Sequence, residues 1–84
     1  MGKNQQLNAA ILETVENQLQ ANDPPETRHT YERLISKGYS EKEAKELIGC
    51  VVSSEIFDVL KNKEPFNLAR FVGALKKLPK LTWD

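Results

Sequence analysis

Glu55 is the residue whose position most clearly raises a question of chemistry. On a helical wheel it shares a side with Ala44, Ile48, Val51 and Val59, so the sequence predicts a carboxylate inside an apolar stripe. A buried carboxylate without a partner is unstable, and it either takes up a proton or pairs with a donor. We therefore expect Glu55 to have a specific partner.

Arg28 and Tyr31 are the predicted partners of Glu55, and we expect all three to be buried polar side chains. Arg28 lies at the edge of the inward face of the second predicted helix, and Tyr31 lies on that face. Either side chain would reach Glu55 if the second and third helices pack as an antiparallel pair. The favoured interpretation is an ion pair or hydrogen bond that fixes this packing. A functional polar pocket and an exposed Glu55 beside a gap are the alternatives.

The remaining reactive residues give no catalytic pattern. His29 is the only histidine and lies away from the inward face, so we expect it to be solvated. Cys50 is the only cysteine, and we expect it to pack as a small apolar residue in a protein of a reducing, cytoplasmic compartment. The sequence contains no Ser/His/Asp arrangement, zinc-ligand spacing or phosphate-binding glycine loop. It therefore predicts no catalytic residue, no cofactor and no metal site.

Apolar periodicity predicts an all-α fold, a small four-helix bundle with a long central third helix. The predicted helices are Gln5–Ala21, a second that follows Asp23 and ends near Lys37, Glu41–Asn62 and Leu68–Leu78. The inward positions include Leu7, Ile11, Val15, Leu19, Thr27, Tyr31, Leu34, Ile35, Ala44, Leu47, Ile48, Val51, Val52, Ile56, Val59, Leu60, Phe71, Val72, Leu75 and Leu78. Gly49, inside the third helix, is expected where another helix approaches closely.

The stretch DPPETRHTYERLISKGYSEKEA contains the signals that separate the second helix from its neighbours. Asp23 is predicted to cap the second helix, followed by Pro24 in its first turn. Gly38 is predicted to end that helix in a left-handed conformation. Ser40 and Glu43 have the spacing of a capping box for the third helix, and Asn67 is predicted to cap the fourth.

Length and charge limit the possible functions. The 84 residues are enough for a single domain (1–84), with an ordered core at about 4–79 and a C-terminal tail at 80–84. Lys and Arg total 12 and Asp and Glu total 12, which argues against nucleic-acid or membrane-surface binding and permits self-association. No signal peptide or membrane-spanning run is predicted. Phe57, Phe66 and Trp83 are the candidates for an exposed aromatic interaction surface.

Three segments, ETVENQLQANDPPET, TYERLISKGYSEKEAKELIG and EPFNLARFVGALKKLP, together resemble an uncharacterised bacterial family of small helical domains of unknown function. The resemblance covers Asn4 to about Pro79. Many members carry histidines at the positions of Asn8, Leu12, Lys42 and Glu46, which would suggest a metal site in those members. None of these residues is histidine here, so the resemblance implies the helical scaffold without that site.

The leading functional expectation is a non-catalytic, cytoplasmic interaction or scaffold domain that binds a protein partner or a second copy of itself. The alternative is a small metal-binding or metal-dependent protein that uses the helix carboxylates Glu13, Glu43 and Glu55. This alternative requires acids from two helices to converge, and the wheel places Glu43 off the inward face.

Overall fold

A computed structural model describes residues 2–81, with side chains described from residue 9 onward. It contains four α-helices, α1 (Gly2–Ala21), α2 (Pro25–Ser36), α3 (Glu41–Asn62) and α4 (Leu68–Lys77), and no strand in that range. The longest is α3, with 22 residues. Both α2 and α3 contact all three other helices, whereas α1 and α4 do not meet within the described part of the chain. The predicted all-α four-helix fold is confirmed.

The turn between α1 and α2 differs from its prediction. Pro24, and not Asp23, is the N-cap of α2, and it provides no side-chain cap. The Asp23 amide instead donates to the Gln18 carbonyl (3.1 Å), and the Asn22 amide donates to the Leu19 carbonyl (3.3 Å). Because Asn22 is left-handed (φ 53°), these two bonds close the end of α1. Asp23 therefore ends one helix and does not start the next.

The turn between α2 and α3 agrees with its prediction. Gly38 has φ 100°, and the amides of Gly38 and Tyr39 donate to the carbonyls of Ile35 (3.0 Å) and Leu34 (3.2 Å). This is the two-bond pattern that ends a helix at a left-handed glycine. The capping box of α3 then follows immediately, as described below for Glu43.

The core lies where α1, α2 and α4 meet α3. Its buried apolar residues are Val15, Leu19, Leu34, Ala44, Ile48, Val51, Val52, Phe71, Leu75 and Leu78, and Leu81 of the tail packs against them. Gly49 is buried, and a Cβ placed on it would lie 3.2 Å from Cγ2 of Ile11. The close approach of α1 that the glycine predicted is therefore present.

The prediction that a residue lies in the core is wrong for three residues. Ile35, Ile56 and Leu60 are 36, 46 and 73% exposed. Relative to Ile48, Ile56 and Leu60 lie about 80° and about 120° around the axis of α3, at and beyond the edge of its buried face, whereas Glu55 in the same turns lies on that face and is buried. Two smaller differences are that α4 ends at Lys77, one residue before the prediction, and that Thr30 is buried in α2. None of the helices in residues 2–81 has the length and apolarity needed to cross a membrane.

Candidate functional site

Glu55 lies in the core interface between α3 and α4, with 5% of its surface exposed. Its Oε1 accepts hydrogen bonds from the Asn67 amide (2.9 Å) and from Nη2 of Arg70 (2.8 Å). Its Oε2 accepts a third from Nε of Arg70 (2.9 Å). Arg70 thus binds the carboxylate in a bidentate manner, the geometry that gives the strongest ion pairs.

The predicted partners of Glu55 are wrong. Arg28 donates to the Leu19 carbonyl (3.0 Å) and so binds the C-terminal end of α1. Tyr31 donates to Oε1 of Glu41 (2.9 Å), at the opposite end of α3. The reason is position along α3. Tyr31 of α2 contacts Glu41 in the first turn of α3, whereas Glu55 lies twelve residues, about 18 Å along the axis, beyond Glu43 of that turn.

Arg70, the partner of Glu55, is not among the residues predicted from the sequence. The Asn67 side chain accepts from the Arg70 amide (3.0 Å), so the cap of α4 fixes the turn that carries the guanidinium. Arg70 also lies 3.5 Å from Glu64 and 3.9 Å from Asp58. Two features of the sequence indicate this partner. The connector 63–67 is short, so the first turn of α4 must lie near the last turns of α3, and Arg70 is the one cation in that first turn.

The Glu55–Arg70 pair stays charged near neutral pH. The hydrogen bonds from Arg70 lower the pKa of Glu55 and outweigh its burial, which acts in the opposite direction. The same contact raises the pKa of Arg70. A general acid or base needs a pKa near the working pH, and these shifts move both groups away from it. The chemistry of the pair is therefore structural: it ties the connector and α4 to α3.

A small cleft of about 220 Å³ borders this ion pair. Its lining residues are Val51, Ser54, Glu55, Asp58, Arg70, Phe71, Ala74 and Lys77. Ligand pockets usually measure roughly 300–1,000 Å³. Glu55, the buried polar group of this lining, is already hydrogen-bonded by Arg70. The cleft accordingly offers a ligand little enclosed volume and few free polar groups.

A second polar cluster joins α1, α2 and α3 at the N-terminal end of α3. Lys45 lies 2.6 Å from Glu16 and 5.9 Å from the centre of the Tyr31 ring. Partial burial and, to a smaller extent, the hydrogen bond to Glu41 raise the pKa of Tyr31. The hydrogen bond to Glu16 raises the pKa of Lys45. Each group is thereby held in the protonation state that it has at neutral pH, so this cluster also serves packing.

The acids of the metal-binding alternative do not converge. Glu43 accepts from the Ser40 amide (2.9 Å) while the Ser40 hydroxyl accepts from the Glu43 amide (3.1 Å), and this capping box lowers the pKa of Glu43. Glu55 is occupied by Arg70, and Glu13 is exposed on α1. Within the described residues, no three His, Cys, Asp or Glu side chains form a group that would hold a metal ion.

His29 and Cys50 differ in environment. His29 is exposed on α2. Cys50 is half-buried in α3, and burial, with a smaller contribution from Glu46, raises the pKa of its thiol. A raised pKa reduces the thiolate fraction, so the structure gives Cys50 none of the properties of an activated nucleophile.

Two of the predicted interaction residues, Phe57 and Phe66, are exposed. Phe57 is 62% exposed with Lys61 above its ring (5.8 Å), and Phe66 is 54% exposed with its ring 5.7 Å from that of Phe71. Trp83 lies outside the described residues. Three further exposed apolar residues belong to the same segment of the chain, residues 56–68: Ile56, Leu60 and Leu68. We call the set Ile56, Phe57, Leu60, Phe66 and Leu68 the apolar end.

Comparison with known proteins gives no relative: no family model, no curated protein and no solved structure matches the chain. The resemblance to a bacterial family of small helical domains therefore stays a prediction.

Proposed function

We propose that this protein is a non-catalytic helical interaction domain that binds another protein through its apolar end. The observation that carries the proposal is the exposure of five large apolar side chains, between 46 and 73% each, within residues 56–68. Isolated exposed apolar residues are normal on proteins, but a concentration of them in one short segment is typical of a binding surface.

The five residues form two groups. Ile56, Phe57 and Leu60 occupy adjacent turns of α3 and lie within about 100° of one another around its axis. Phe66 and Leu68 flank Asn67, whose amide is bonded to Glu55 on the side of α3 that faces α4. If each side chain presents about 100 Å², the group on α3 has on the order of 300 Å², which is within the range of the largest and often functional patches of soluble monomers.

The ion pair supports a binding role over a catalytic one. Among the described residues, Glu55 is the one buried charged side chain, and its hydrogen bonds are taken by Arg70 and Asn67. A group whose pKa is driven away from neutrality cannot exchange protons efficiently with a substrate. Its position instead fixes the backbone that presents Phe66 and Leu68.

The expected setting is the bacterial cytoplasm. A lone half-buried cysteine and the resemblance to a bacterial helical family support it. The equal numbers of acidic and basic residues favour a protein partner over nucleic acid, whose binding usually needs a basic excess.

Site-specific photo-crosslinking in living bacteria tests the proposal. A crosslinking amino acid placed at Phe57, in the apolar end, is compared with one at His29, which is exposed on α2. We expect a discrete protein adduct from position 57, no adduct from position 29, and loss of the first adduct on Leu60→Asp. Absence of any adduct at position 57, or equal adducts at both positions, would refute an interaction through the apolar end.

A further inference from the structure

We propose that Arg33 of α2 closes the C-terminal end of α4 and thereby holds residues 78–81, which we call the C-terminal strap, against the core. Loss of the Arg33 side chain would then loosen the strap and the last turn of α4 while α1, α2 and α3 stay packed. The strap shares no residue with the apolar end, so the proposal stands apart from the proposed function.

Arg33 binds two backbone carbonyls at the end of α4. Its Nη1 donates to the Leu78 carbonyl (2.6 Å), and its Nη2 donates to the Leu75 carbonyl (2.9 Å). The residue is half-buried, and in the described part of the chain no carboxylate lies within ion-pair distance of it. A guanidinium presents its donors in a fixed fork, and a cation at the C-terminal end of a helix opposes the negative end of the helix dipole. Both properties stabilise the end of α4.

The end of α4 lacks the left-handed residue that closes the other helices. Positive φ angles occur at the ends of α1, α2 and α3, at Asn22 (53°), Gly38 (100°) and Lys63 (54°). Leu78, the C-cap of α4, instead has φ −58° and ψ 144°, and Pro79 after it has no amide to donate. Because the last carbonyls of a helix have no partner within it, they need donors from elsewhere. Arg33 supplies two such bonds from a different helix.

The other contacts of the strap are either local or apolar. The Leu78 amide donates to the Leu75 carbonyl (3.1 Å), and the Lys80 amide donates to the Lys77 carbonyl (2.9 Å), each three residues back. Leu78 is 1% exposed, and Leu81 packs against the core. Within residues 2–81, the bond from Arg33 to Leu78 is thus the one hydrogen bond that joins the strap to another helix. A helix end can open without unfolding of the rest, so the strap should depend on this bond.

Amide hydrogen exchange of the full chain, followed by NMR, tests the proposal. In Arg33→Ala, the Leu78 amide should exchange at least about tenfold faster than in wild type, since two hydrogen bonds from a charged group are lost. This exchange should be nearly independent of urea below the unfolding transition, because local opening exposes little surface. Arg28→Ala is the matched control: Arg28 also lies on α2 and binds a helix-end carbonyl, that of Leu19 in α1, and its loss should leave the Leu78 rate unchanged.

Arg33→Lys separates the two-carbonyl contact from the charge alone. Lysine retains the charge and much of the apolar stem, so the variant should stay folded, but its ammonium lacks the fork that reaches both carbonyls. Leu78 should therefore still exchange roughly threefold or more faster than in wild type. Wild-type exchange of Leu78 in either Arg33 variant would overturn the proposal. So would faster exchange that follows the same urea dependence as the core amide of Ile48, because the strap would then open only with global unfolding.

Discussion

Replacement of Glu55 by alanine is the perturbation whose effect the structure specifies best. It removes a 5% exposed carboxylate that accepts three hydrogen bonds from Asn67 and Arg70. Breaking a fully buried ion pair costs about 3–5 kcal/mol, and an exposed pair contributes about 0–1 kcal/mol. Arg70 is 36% exposed and regains water when its partner is lost, so Glu55→Ala should destabilise the fold by about 2–3 kcal/mol.

Thermal and urea denaturation measure this effect. In a domain of this size, a loss of about 2–3 kcal/mol should lower the melting temperature by roughly 10–20 °C. Glu46→Ala is the matched control, because Glu46 is an exposed glutamate on the same helix, and its effect should stay within about 0.5 kcal/mol. A Glu55→Ala variant as stable as the control would refute the conclusion that the ion pair holds α3 and α4 together.

The pH dependence provides an independent check of the same reasoning. The pKa of Glu55 is lowered in the folded protein, so its contribution is fully present above the ordinary carboxyl pKa of about 4.3 and is lost as the pH falls through the folded value. The stability difference between wild type and Glu55→Gln should therefore narrow from pH 7 to pH 3. In Arg70→Ala, Glu55 loses the guanidinium that lowers its pKa, and burial should then raise that pKa. The stability of this variant, relative to wild type, should therefore increase as the pH falls from 7 to 5.

Four further predictions concern three glycines and the cysteine. A Cβ on Gly73 meets no atom within 4 Å, so Gly73→Ala should stabilise α4 by about 0.5–1 kcal/mol in urea denaturation. Gly49→Ala should gain less, because its Cβ would lie 3.2 Å from Ile11, and an equal gain would contradict the close helix contact. Gly38→Ala should destabilise by about 1 kcal/mol or more, since alanine is strained at φ 100°; an unchanged midpoint would contradict that cap. Alkylation of Cys50 by iodoacetamide at pH 8 should be several times slower in folded than in urea-unfolded protein, and equal rates would contradict its burial and raised pKa.

The local features of the fold are the ones that could be predicted from the sequence. The bounds of α3, Glu41–Asn62, agree with the prediction because Ser40 and Glu43 determine where it starts through contacts three residues apart. Gly38 likewise determines where α2 ends through bonds within five residues. The prediction that Asp23 caps α2 was wrong because a residue between two helices can belong to the end of the first or to the start of the second. Here the amide of Asp23 bonds to α1, and Pro24 is the N-cap of α2.

The features that depend on neighbouring helices could not be predicted in the same way. Periodicity gives the direction in which Glu55 points, but it does not say which helix lies there, and the predicted partners came from α2 when α4 supplies Arg70. Periodicity also cannot tell how wide a face of α3 the neighbouring helices cover. Ile56 and Leu60 have the spacing of core residues, and the structure leaves about half or more of each exposed.

The ion pair and the apolar end are parts of one arrangement. Glu55 holds the Asn67 amide and Arg70, and this fixes the connector that carries Phe66 between α3 and α4. A surface partly built on a connector binds well only if the connector is already ordered, because ordering it on association would reduce the affinity. On the proposed function, the buried charge would contribute to binding without touching the partner. Glu55→Gln, which keeps the size of the side chain and weakens the bidentate contact, should consequently reduce association through the apolar end even under conditions where the protein remains fully folded.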